Sequence, residues 1–237
     1  MIGAADLAFG RTAARKLGKV SELGYLALGP APVDYLRGWD LQRRIHARRV
    51  ADEVPDSCLL LEHEPVYTAG KRTAASDRPF GDPGAQVIDV DRGGKITWHG
   101  PGQLTGYPII KLREPIDVVA YVRALEQVIL DTLAESGIVA GRIPGCTGVW
   151  VDGKKVAAIG VHISRWVTSH GFALNHTTDL SYFQYIVPCG ITKPVTSMRE
   201  LGAETTRERV IEALARSFSK HFQLEMPAVQ SFTETYS

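Results

Sequence analysis

The chain has 237 residues, 44% hydrophobic and 22% charged, with a formal net charge of +1. That is enough apolar material for the core of one large domain, and too little net charge for a general field that would hold nucleic acid or an acidic membrane. The three cysteines, Cys58, Cys146 and Cys189, have no short spacing between them, which excludes a disulfide framework and a zinc knuckle and favours a reducing, cytoplasmic setting.

Residues 1–19 carry no apolar stretch of signal-peptide length and only faintly suggest an organelle transit segment; they are expected to form a flexible tail. No run of about 18 apolar residues could span a bilayer. One catalytic domain is expected over 20–225, followed by a tail over 226–237.

Asp34 to Val50 reads as a helix, with Leu36, Trp39 and Ile45 on its apolar side and Arg43, Arg44, Arg48 and Arg49 solvated. Cys58 to Leu61 is a continuous apolar run between Pro55 and Pro65, the pattern of a buried strand. Residues 70–86, rich in Gly, Pro, Asp and Arg, predict a long loop. Short strands follow at Val87 to Val90 and Leu104 to Leu112. Asp117 to Ser136 is the clearest helix: Val118, Val122, Leu125, Ile129 and Leu133 recur at three-and-four spacing, Asp117 can cap the start and Gly137 ends it.

Asp152-Gly153 between two β-forming runs predicts a hairpin from Gly148 to Ser164, and alternation requires that one of Lys154 and Lys155 point inward. His170 to Asn175 is a further strand, and Asp179 can cap a short helix through Phe183. Thr205 with Glu208 has the spacing of a capping box ahead of a last helix through Phe222. Hairpins outnumber regular βαβ alternation, so the expected fold is α/β in the broad α+β sense: a mixed sheet with helices covering one face. No GxGxxG or Walker pattern is present.

Chemistry concentrates in four places. Arg92 to Gln103 packs Gly93, Gly94, Gly100, Pro101 and Gly102 around a guanidinium, an imidazole (His99) and an amide; glycines let the main chain approach a ligand closely, so this stretch reads as a binding wall. Cys189 stands between Pro188 and Gly190, which can present a thiol from a shaped loop, although a lone cysteine is also a common buried hydrophobe. Cys146 is the rival nucleophile, and Cys58 reads as core. Lys155 opens a strand of small residues and could act on a nearby thiol or as a base; a solvated lysine after a turn is the plainer reading. His99 and His170 could each be a base, a donor or a structural hydrogen-bonder. A metal site among His63, His99, His162 and His170 has no supporting ligand spacing.

Together these segments resemble the lipoyl(octanoyl) transferase family. The resemblance rests on Arg92 to Gln103 with Tyr107, then Leu61 to Thr68, Lys155 to Gly160, His170 to Asn175, Asp179-Leu180 and Pro188-Cys189-Gly190, in that order, and covers roughly residues 20 to 225. It implies the catalytic-domain fold of biotin and lipoate ligases. It implies transfer of an octanoyl group from acyl carrier protein to one lysine on a lipoyl domain of an oxo-acid dehydrogenase acyltransferase subunit or the glycine cleavage H protein, with no metal and no cofactor. On this resemblance Cys189 is the acyl-carrying nucleophile and Lys155 its partner. Arg92, Gly93, Gly94, Lys95, Ile96, Thr97, Trp98 and His99, then Ala158, Ile159 and Gly160, then Gly171, Phe172 and Ala173, form the walls of the acyl site.

Main-chain N–H groups near Gly160 or Gly190 are candidate oxyanion donors. Lys71, Arg72, Arg78, Arg142 and Lys193 are candidates for a basic rim facing an acidic carrier. The competing readings are an ATP-dependent ligase of the same fold, a catalytically silent lipoyl-domain binder, and a thioesterase.

Overall fold

A computed structural model describes residues 25–28, 31–186, 194–222 and 230–232. Residues 1–19, Cys189, Gly190 and Lys193 lie outside the described residues.

The described chain runs β1 (Tyr25–Leu28), α1 (Tyr35–Val50), β2 (Ser57–Leu61), β3 (Val66–Ala69), β4 (Gln86–Asp89), β5 (Thr97–His99), β6 (Gln103–Ile109), α2 (Val118–Glu135), β7 (Gly141–Ile143), β8 (Cys146–Val151), β9 (Lys154–Ser164), β10 (Val167–Asn175), α3 (Arg207–Phe222) and β11 (Gln230–Phe232). The strands form an eight-stranded mixed sheet in the order β11-β1-β2-β6-β10-β9-β8-β7 and a three-stranded sheet in the order β4-β3-β5. Residues 230–232, which the sequence leaves in a tail, pair in parallel with β1.

The continuous apolar run of β2 is explained by burial on both faces. Cys58 and Leu60 pack with α2 and α3, whereas Leu59 and Leu61 pack with Leu41 and Ile45 of α1. Helices therefore cover both faces of the large sheet rather than one: α2 and α3 on one side, α1 on the other.

Local chemistry sets the element ends. The Asp117 carboxylate accepts the Ala120 N–H at 2.8 Å, and Gly137 takes a φ of 76° just past the end of α2. Asp152 and Gly153 both have positive φ (47° and 76°), as a type I′ hairpin turn requires. Of the lysine pair that follows, Lys155 is buried and Lys154 exposed. The Asp179 carboxylate accepts the Ser181 N–H at 3.0 Å, capping a short 3-10 helix over Leu180–Tyr185.

Two helix readings are corrected. Helix α3 is capped by Thr206, one residue beyond Thr205, whose hydroxyl accepts the Arg209 N–H at 3.3 Å. The buried stripe of α1 is Tyr35, Gly38, Leu41, Gln42 and Ile45, leaving Leu36 49% exposed. Gly38 is the reason: a Cβ there would stand 2.9 Å from the His63 ring, so the helix approaches the sheet along its glycine. Arg49 is also not solvated; its guanidinium holds Asp52 and Asp56, each at 2.6 Å.

Candidate active site

A cleft enclosing about 750 Å³ of empty space, part of it continuous with solvent, lies against the middle of the large sheet. Its floor comes from β6, β10 and β9, where Thr105 pairs with Ala173 and Ala173 with Ala158, while Gly171 pairs with Gly160 in the neighbouring row. Small residues at these cross-strand positions leave a shallow apolar trough over the backbone. Neither glycine has room for more: a Cβ on Gly171 would meet the Gly106 carbonyl oxygen at 2.2 Å, and one on Gly160 the Gly93 oxygen at 2.9 Å. The opposite wall is Arg92, Gly94, Lys95, Ile96, Thr97 and His99, from β5 and the loop before it. Lys155, Ile159 and Phe172 complete the group that the sequence places together.

Two expected wall residues do not line the cleft. Gly93 turns its N–H onto the Val161 carbonyl at 2.9 Å, tying the wall to β9. Trp98 points to the other face of β5, as alternation dictates between Thr97 and His99. Its indole stacks on Tyr182 with centroids 4.7 Å apart and supports the wall from behind. The cleft also recruits Tyr35, Gln103, Thr105, Tyr107, His170, Asn175, Phe183 and Val195. Period-two alternation along β6 could have found Thr105 and Tyr107 beside Gln103; nothing local marks Tyr35, which α1 brings in across the same face of the sheet.

Lys155 is 7% exposed. Its N–H donates to the Pro194 carbonyl and its own carbonyl accepts the Thr196 N–H, both at 2.9 Å, so the residues that follow the Cys189 segment are laced to this lysine. The other two thiols stand elsewhere. Burial pushes the Cys58 thiol well above its ordinary range, and half-buried Cys146 opens β8 outside the cleft lining.

A directed hydrogen-bond chain runs beneath the site. The Arg92 guanidinium donates to the carbonyls of Gly93 (3.0 Å), Lys95 (2.8 Å) and Thr68 (2.6 Å) and to the Thr68 hydroxyl (2.8 Å). The Thr68 hydroxyl therefore donates onward to His99 Nε2 at 3.1 Å, and His99 Nδ1–H donates to Gln103 Oε1 at 2.8 Å. Gln103 Nε2 donates to Asn175 Oδ1, and Asn175 Nδ2 to the Thr196 carbonyl, both at 2.9 Å. This order requires a neutral His99, and burial, with His63 and Arg92 adding to it, holds the imidazole well below its usual pKa. Asn175 thus bridges Gln103 to the Thr196 carbonyl, a structural role.

His63 is likewise neutral. Nδ1–H donates to the Val33 carbonyl at 3.0 Å, Nε2 accepts the Tyr107 hydroxyl at 2.6 Å, and burial brings its pKa down to about 4. His170, at a φ of 54°, sets Nε2 2.6 Å from Asp91, whose carboxyl that hydrogen bond pulls to about 2. His162 shares the same carboxylate at 3.7 Å. The four histidines weighed as metal ligands are each turned onto oxygen partners, His162 and His170 onto the same Asp91, and no three His, Cys, Asp or Glu side chains among the described residues could hold a metal ion.

Among the candidate rim cations, Lys71 and Arg72 are exposed. Arg78 pairs with Asp89. Arg142 instead binds the fully buried Glu126 carboxylate at 2.9 Å, a structural role.

The neutral histidines make an acid-side prediction. A histidine whose folded pKa lies below its unfolded value contributes stability that is complete above the unfolded value near 6.5 and is lost as pH falls toward the folded value near 4. Between pH 7.5 and 5 His63 alone should cost about 2 kcal/mol, with His99 acting in the same direction. Urea midpoints across that range should fall, and should fall less steeply in His63→Gln. Equal slopes for the two proteins would reject a neutral His63.

Residues 34–219 match the family model described as the lipoyl protein ligase A/B catalytic domain. The chain is 62% identical over 180 residues to the octanoyltransferase of Thermobifida fusca (strain YX), covering 73% of this chain and 76% of that protein. It is 54% identical over 200 residues to the octanoyltransferase of Solibacter usitatus (strain Ellin6076), covering 82% and 91%. In fold it is similar to a bipartite lipoate protein ligase from Thermoplasma acidophilum (TM-score 0.68, 16% identity, covering 90% of this chain and 88% of that one). A lipoate-protein ligase A bound with ATP gives a TM-score of 0.70 at 16% identity, covering 90% of each chain.

Proposed function

The chain belongs to the lipoyl protein ligase A/B catalytic domain family and, within it, to the octanoyltransferases, which are acyltransferases, and from that premise we propose that it moves an octanoyl group from octanoyl-acyl carrier protein to a specific lysine of a lipoyl domain through a thioester on Cys189. The acceptors would be the lipoyl domains of oxo-acid dehydrogenase acyltransferase subunits and the glycine cleavage H protein. The proposed setting is cytoplasmic, on the cysteine usage alone. Among the described residues no helix is long and apolar enough to cross a membrane.

The observation that carries the reading is the buried Lys155, held in the cleft wall by Pro194 and Thr196. Cys189 lies five residues before Pro194 in the sequence, and five residues span at most about 18 Å even when fully extended.

In the first half-reaction the Cys189 thiolate attacks the donor thioester carbonyl. A new C–S bond forms, the old one breaks, and the carrier thiolate leaves with a proton supplied by the Lys155 ammonium. One thioester replaces another, so little free energy is lost. In the second, the acceptor amine attacks the acyl-enzyme, Cys189 leaves as thiolate, and Lys155 takes the proton that the amine must shed.

The trough over Ala158, Gly160, Gly171 and Ala173 offers an apolar surface to an alkyl chain, and the bound chain would keep water from the thioester. Burying the seven carbons beyond the carbonyl would contribute about 5–6 kcal/mol.

Intact-mass measurement after mixing with octanoyl carrier protein should give one octanoyl adduct that maps to Cys189 and disappears when a lipoyl domain is added. An adduct on Cys146 would reject the nucleophile assignment. Amide formation from free octanoate, ATP and magnesium without any carrier donor would favour an ATP-dependent ligase, and accumulation of free octanoate in the presence of acceptor would favour a thioesterase.

A further inference from the structure

We propose that Trp150 is a positioning residue that steers the Lys155 ammonium into the cleft by holding it over the face of its indole, across a groove left open by Gly148. The inference rests on the role for Lys155 given above.

Trp150 and Lys155 are direct partners across the β8–β9 hairpin. Val149 and Val151 are core residues that pack with α2 and α3, and the pairing register shifts between Val149 and Trp150, leaving Trp150 opposite Lys155. The lysine Nζ sits 4.7 Å from the indole centroid, inside the range of a cation–π contact. The ring is fixed in its turn: Trp150 is 5% exposed, and its Nε1–H donates to the Cys146 carbonyl at 3.2 Å.

Gly148 makes the approach possible. At a φ of 122°, a Cβ on it would stand 3.4 Å from Lys155 Cε and 3.6 Å from Cδ, and 2.6 Å from the Ala157 oxygen. The lysine stem therefore passes over a position that must lack a side chain. The Gly148 N–H donates to Glu126 at 3.2 Å, and Arg123 and Arg142 hold the same carboxylate at 2.6 and 2.9 Å, which anchors the hairpin to α2.

A four-carbon stem has rotamer freedom that a proton-transfer group must lose before the reaction. An aromatic face restrains the ammonium without offering a base, so the proton stays available to the thioester chemistry.

The test uses the full chain with Trp150 replaced, site-specifically, by mono-, di- and tetrafluorotryptophan. These keep the shape of the ring and progressively weaken its attraction for a cation. The rate of acyl transfer should fall stepwise, by about tenfold across the series, with KM for donor and acceptor within about twofold. Trp150→Tyr should keep most of the rate and Trp150→Leu should lose it. In a Lys155→Met background, Trp150→Leu should cause no further loss, because the two residues act as one unit. A flat fluorinated series, or losses from Trp150→Leu and Lys155→Met that simply add, would overturn the positioning role while leaving Lys155 in the mechanism. A fully active Lys155→Met enzyme would remove the lysine itself, and this inference with it.

Discussion

Cys189→Ser should fold normally and lose roughly a thousandfold or more in octanoyl transfer, with no covalent adduct on exposure to octanoyl carrier protein. A thiolate is the nucleophile proposed here, and a serine hydroxyl at neutral pH is not appreciably ionised. The substitution also converts a thioester-for-thioester exchange into formation of an oxygen ester, which the acceptor amine attacks far more slowly. Single-turnover transfer of labelled octanoate, with mass analysis of the quenched enzyme, reads both effects. Cys146→Ser is the control: that thiol lies outside the cleft lining, so its substitution should leave adduct and rate within about twofold. A Cys189→Ser enzyme within tenfold of wild type would reject the covalent route.

What the sequence reveals about this molecule is what local chemistry controls. The spacing of Leu125, Ile129 and Leu133, the Asp117 cap and the Asp152-Gly153 turn each act within a few residues, and each stands where periodicity and turn chemistry place it. The face that α1 buries was not legible, because a non-local neighbour, the His63 ring against Gly38, selects Tyr35 over Leu36. Trp98 shows a different failure. Membership of a glycine-rich segment says that the segment is special, but alternation decides which side chains enter the cleft, and Trp98 falls on the far side. The chain from Thr68 through His99, Gln103 and Asn175 to Thr196 joins residues more than a hundred positions apart, so no window of sequence contains it. Cys189 is the reverse case: its proposed role rests on sequence resemblance and on the hydrogen bonds that tie Pro194 and Thr196, further along the chain, to Lys155.

Arg92→Lys should destabilise the fold by about 2–4 kcal/mol and reduce transfer by about a hundredfold, although it preserves the charge. Arg92 is 7% exposed, and its guanidinium reaches three carbonyls and one hydroxyl from one rigid plane. An ammonium is a single point with three donors on a shorter reach, and it cannot serve the Gly93, Lys95 and Thr68 carbonyls together. Acceptors left buried without donors bear their full desolvation cost. The neighbourhood is cut to the guanidinium: a Cβ on Gly70 would stand 2.6 Å from Arg92 Nη1, and one on Gly160 would stand 3.1 Å from Arg92 Cδ. Losing this clamp frees the wall over residues 92–97 and removes the donor that orients the Thr68 hydroxyl toward His99. Because the charge is retained, electrostatics near His99 change little, and the loss reports geometry. Urea midpoints and single-turnover rates on the same protein separate the two effects. An Arg92→Lys enzyme that is less stable but fully active would make the clamp purely structural, whereas unchanged stability with lost activity would make the guanidinium a direct substrate contact.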